Sequence, residues 1–88
     1  MQVIKVTASG VVRTGKTGVQ GVTLVAGADA AAITLQDTLT GATATKDKGG
    51  AKALANTSQD SAMYGNQFDK GVYATLTGTN PVAYVYIE

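Results

Sequence analysis

Glycine is the strongest constraint on what this chain can fold into. Eleven of its 88 residues are Gly, scattered so that few stretches long enough for three helical turns escape one. Each costs about 1 kcal/mol in a helix interior. The β-branched residues Thr and Val are abundant between them, and these favour strands. Side chains then alternate with a period of two: Val3, Lys5 and Thr7 oppose Ile4, Val6 and Ala8, and Ile33, Leu35 and Asp37 oppose Thr34, Gln36 and Thr38. Val72, Ala74 and Leu76 likewise oppose Tyr73, Thr75 and Thr77, while Val82, Tyr84 and Tyr86 oppose Ala83, Val85 and Ile87. Period two belongs to a strand with different surroundings on its two faces.

The pattern predicts strands near 2–8, 10–13, 19–25, 31–39, 51–56, 62–68, 71–77 and 82–87, with Gly-, Asn- and Asp-rich turns between them. Pro81 stands at the entry to the last strand, where its missing N–H does least harm. The expected fold is all-β, a small antiparallel sandwich or barrel of about seven or eight short strands. Residues 51–55 alone are compatible with a short helical turn, and residues 40–50, without a large apolar side chain, read as an exposed loop. The whole of 1–88 is expected to be one β-domain, because the chain runs into a final strand and stops. Residues 1–9 read either as its first strand or as an N-terminal docking arm.

The core this composition can build is thin. Apolar content leans on Ala and Val, Trp is absent, and Phe68 is the sole Phe. Small scaffolds of this kind recruit a disulfide, a metal or a partner subunit. With no Cys the first is excluded, which leaves assembly as the natural remedy. A net charge of +1 argues against a general nucleic-acid binder, which carries a strongly basic face. No apolar run approaches the roughly 20 residues needed to span a bilayer as a helix, so no membrane partner is expected. The start, Met1-Gln2-Val3-Ile4-Lys5-Val6, lacks the features of a secretory signal, and synthesis in a cytoplasm is expected.

One motif matches a known chemistry letter for letter. Gly10-Val11-Val12-Arg13-Thr14-Gly15-Lys16-Thr17 satisfies the G-x-x-x-x-G-K-[ST] pattern of phosphate-binding loops. Such a loop must open a helix, whose N-terminal amides complete the anion site. Here Gly18-Val19-Gln20-Gly21-Val22-Thr23 follows, which reads as turn and strand. Gly10, Gly15, Lys16 and Thr17 are therefore read as a chance match, residues 13–18 as a hairpin loop, and no nucleotide or other cofactor is expected.

Catalytic groups are scarce. There is no His and no Cys, which removes the common general base, the thiol nucleophile and the soft metal ligands. Ser9, Ser58 and Ser61 have no activating base at a recognisable spacing and read as turn residues. Asp29, Asp37, Asp47, Asp60, Asp69 and Glu88 form no calcium-loop run and read as turn and cap residues. Asp37, on the strand face of Ile33 and Leu35, reads as a half-buried acid bonded to a neighbouring turn. The residues left for function are interface candidates. Lys46, Lys48 and Lys52 would make a basic loop able to meet an acidic surface. Tyr73, Tyr84 and Tyr86 lie on strand faces as packing or subunit surface, or as a platform for stacking sugars.

Several segments resemble a known class. Ala26-Gly27-Ala28-Asp29-Ala30-Ala31, Leu35-Gln36-Asp37, Phe68-Asp69-Lys70-Gly71-Val72-Tyr73 and Leu76-Thr77-Gly78, with the closing Val85-Tyr86-Ile87 strand, are similar to small β-sandwich virion proteins of tailed bacteriophages. These include capsid decoration (cement) and head-fibre proteins. The matching pieces are scattered from Thr23 to Glu88; the first twenty residues match less clearly. The resemblance implies a non-enzymatic structural protein of the virion, made in the host cytoplasm. It would bind the outer capsid, with the major capsid protein as partner, as a homo-oligomer, a trimer being favoured. A tail, baseplate or fibre β-module is the nearest alternative, and a small carbohydrate-binding module is the alternative from a different class.

Overall fold

The computed structural model describes residues 1–41 and 46–88. Among them the chain forms eight strands and no α-helix: β1 (Gln2–Val6), β2 (Gly10–Thr14), β3 (Thr17–Val25), β4 (Ala31–Gln36), β5 (Asp47–Ala53), β6 (Ser58–Phe68), β7 (Gly71–Thr77) and β8 (Val82–Ile87). They make two four-stranded sheets, ordered β1-β8-β3-β6 and β2-β7-β4-β5, with every pairing antiparallel. The fold is a small β-sandwich.

Every connection except β4–β5 carries the chain from one sheet to the other. Three of the turns that do this contain left-handed backbone, at Gly15 (φ 82°), Asn56 (φ 60°) and Asn80 (φ 52°). Gly and Asn are the residues that enter this region most readily. Gly15 and Lys16 are thus the corner between β2 and β3, which lie in different sheets, where the sequence predicted a hairpin loop over residues 13–18. The last two strands also lie in opposite sheets, joined by residues 78–81.

Inward-facing side chains fill the space between the sheets. Phe68, Leu24, Ile33, Leu35, Ile87, Val19, Val22, Val72 and Val85 are essentially fully buried. Val6, Ala26, Ala31, Ala53, Ala74 and Ala83 complete the core. These small residues make it as thin as the composition implied.

Two further sequence expectations need correction. Ala51 and Ala53 belong to β5 instead of a helical turn, since Ile33↔Ala51 and Ala31↔Ala53 are ladder pairs. The Ala-rich stretch follows its neighbour's register, and tertiary pairing overrides helix propensity. The expected loop 40–50 gives its last four residues, Asp47, Lys48, Gly49 and Gly50, to β5; its residues 42–45 lie outside those described. Glycine is required there because a Cβ on Gly50 would collide with the Ile33 carbonyl oxygen of the paired strand. Gly50 is therefore a close-approach strand residue that imitates a turn in the sequence.

Candidate binding surface

Outward positions of the first sheet are set by the buried ones. Ala83, Val85 and Ile87 point inward on β8, so Val82, Tyr84 and Tyr86 point outward. The register places Val3 and Gly21 on either side of Tyr86, and Lys5 and Thr23 on either side of Tyr84. Val25 lies beside Val82, and Asp60 on β6 lies beside Thr23. The outer face is thus a two-tyrosine row bordered by three valines, with Lys5 and Asp60 on opposite flanks.

A hydrogen-bonded chain crosses this face. Thr23 Oγ1 donates to Asp60 Oδ1 at 2.7 Å. With that proton committed, the 2.8 Å contact between Tyr86 OH and Thr23 Oγ1 runs with the phenol as donor. The chain therefore reads Tyr86 to Thr23 to Asp60 and borders a shallow depression of ≈ 290 Å³ over Gly21. Chemically it offers a half-buried aromatic edge and a carboxylate, groups able to receive polar atoms of a ligand or of another protein surface.

Tyr73 does not join this face. Val72 and Ala74 are buried, so Tyr73 points outward from the second sheet, beside Val11 and Gln36. Its neighbour Thr75 donates to Gln36 Oε1 at 2.8 Å. The three tyrosines thus occupy two opposite outer surfaces. The basic residues are also separated. Lys48 and Lys52 are on strand β5, and exposed Lys46 immediately precedes it. Lys52, with Leu54, Ala32 and Thr77, borders an apolar recess of ≈ 350 Å³. In place of a basic loop, β5 carries two lysines near its two ends.

The phosphate-loop look-alike is a strand, a corner and a strand. Thr17 is buried and donates to the Gly15 carbonyl at 3.0 Å, and the Gly15 amide donates to the Lys70 carbonyl at 3.0 Å. The Gly15 amide and the Thr17 hydroxyl are thus engaged within the fold, and β3 follows where a helix would be required. Lys16 is exposed.

Asp37 fulfils its structural reading. Oδ1 accepts the Lys70 amide at 2.8 Å and Oδ2 accepts the Asp69 amide at 3.1 Å, which pins the β6–β7 turn to the end of β4. Desolvation alone would raise its pKa; the amides of Lys70, Asp69 and Gly71 and the nearby Lys48 charge outweigh it and leave the pKa lowered. Among the described residues no three acidic groups come together as a metal site.

Sequence reasoning missed Thr23, Asp60 and Gly21. Thr23 and Asp60 are 37 positions apart, and no local pattern announces a contact between strands that do not follow one another in the sequence. No family model, curated protein or solved structure matches this chain.

Proposed function

We propose that this chain is a non-enzymatic structural module of a tailed-phage virion, of the capsid decoration, cement or head-fibre type. It docks on the outer capsid surface, with the major capsid protein as partner, and assembles with copies of itself. The sequence resemblance supplies the class. The observation that carries the docking role is the outer face of the first sheet. A sandwich uses its inner faces for the core and turns polar side chains outward. Here Tyr84, Tyr86, Val3, Val25 and Val82 instead share an outer face, the composition of the apolar centre of a protein interface.

A carbohydrate-binding module is the second reading, favoured by the Tyr86–Thr23–Asp60 chain beside its depression. Co-sedimentation with assembled capsid shells separates the two. The expected result is that the protein pellets with shells and that Tyr84→Ala leaves it in the supernatant. Glycan-array binding lost with Tyr84→Ala, without shell binding, would replace the proposal by the second reading.

A further inference from the structure

A β-sandwich is open to partners at its edges, where backbone N–H and C=O groups face outward. The edge strands are β1 and β6 in the first sheet and β2 and β5 in the second. Three of these are irregular. The β2 register slips between Val11 and Arg13, and the β4–β5 register slips between Leu35 and Gln36. In β6, residues 63–65 all stand opposite Gln20, with Tyr64 (φ 53°) and Gly65 (φ 75°) in left-handed backbone. Bulges bend and twist an edge, and natural sheets use them to prevent strand addition.

β1 is different. It pairs residue for residue with β8 from Gln2 to Val6 without a slip, and it contains no Pro or Gly. Its outward Val3 is 51 % exposed. Among the described residues it is the one regular edge.

We infer that β1 is the pairing edge for a second copy of this chain, through a two-fold antiparallel β1–β1 contact that joins the two first sheets into one eight-stranded sheet. Symmetry and charge select this occupant. An isologous contact must be self-complementary. A pair centred on Ile4 sets Gln2 opposite Val6 of the second copy and Val3 opposite its Lys5, so no two like charges meet. Val3 then packs on the aliphatic stem of that lysine. The Tyr86–Val3 row of one copy continues into the Lys5–Tyr84 row of the other, extending one outer face across both. A net charge of +1 per chain sets up little repulsion between copies.

The inference goes beyond the proposed function and stands whether or not the module belongs to a virion. It specifies a pair where the sequence resemblance implied a trimer. Five residues of edge are fewer than a standard interface of about 1,600 Å² requires, so the dimer should dissociate on dilution.

Sedimentation velocity of the full chain, from about 1 µM to about 1 mM, tests it. The expected result is a monomer–dimer equilibrium. Val3→Lys, which opposes two lysines in each half of the pair, should weaken it about tenfold, whereas Val3→Glu, opposing Lys5, should preserve or tighten it. Circular dichroism confirms that both variants are folded. A monomer at every concentration would overturn the inference and leave the edge to a partner of different sequence. A trimer would also overturn it while sparing the proposed function. A dimer that Val3→Lys and Val3→Glu affect equally would place the contact elsewhere.

Discussion

Asp37 shows how one carboxylate organises a turn that lies far from it in sequence. It binds the Asp69 and Lys70 amides from the end of β4, and those amides hold its pKa below the ordinary 3.8. A depressed folded pKa means that the charged form is stabilised in the native state. The contribution is fully present above the unfolded pKa and disappears as pH falls through the folded value. Asp37→Asn, which weakens two solvent-exposed hydrogen bonds to a charged group, should lower stability by about 0.5–1 kcal/mol at pH 7, since solvent screens the charge. Urea denaturation at pH 7 and pH 2.5 checks this: the gap between wild type and variant should shrink at the lower pH. An equal gap at both would show that charge plays no part. The role was legible in the sequence because alternation puts Asp37 on the face of Ile33 and Leu35, although in the structure β4 slips in register after Leu35 and ends at Gln36. A carboxylate there needs a polar partner, although the identity of the turn did not follow.

Among the elements, β4 and β5 make the closest backbone approach tested by a glycine. A methyl at Gly50 would collide with the Ile33 carbonyl, while one at Gly10 meets nothing within 4 Å. Gly50→Ala is expected to cost about 3 kcal/mol through displacement of β5. Gly10→Ala should be neutral or stabilising by up to about 1 kcal/mol. Shifts in the urea midpoint measure both. The same contrast explains what could be read beforehand. Alternation located most strands, because each buries one face. It missed the first four residues of β5 and the start of β6. Gly49-Gly50 resembles a turn, and Ser58-Gln59-Asp60 is an edge segment with little apolar content to alternate. Partition of strands between the sheets was not legible, since turn residues mark a change of direction and do not reveal whether the next strand pairs beside the last or crosses over. For the same reason Tyr84 and Tyr86 were recognised as one face, while Tyr73 on the opposite surface could not be separated from them.

At the scale of the molecule, the first sheet is assembled from the two ends of the sequence. Gln2 stands opposite Ile87, and β8 lies between β1 and β3. Contacts this distant in sequence slow folding, because loop-closure entropy is lost before they form. A circular permutant tests the point: a short Gly/Ser linker joins Glu88 to Met1, and the chain is reopened within residues 78–81. β8 and β1 then become a local hairpin, and β3 follows soon after. Stopped-flow refolding of the permutant should be faster than that of the parent chain. An unchanged rate would show that docking of β8 does not limit folding.

The central position of β8 also has a consequence during synthesis. β1 leaves the ribosome first of the eight strands and its neighbour in the sheet leaves last. Through translation of nearly the whole domain, the most regular edge in the fold has nothing native to pair with. Its Lys5 is the single charge on that segment guarding it against a premature match with another nascent chain. The property that fits β1 to receive a second folded copy is thus a hazard until β8 has emerged.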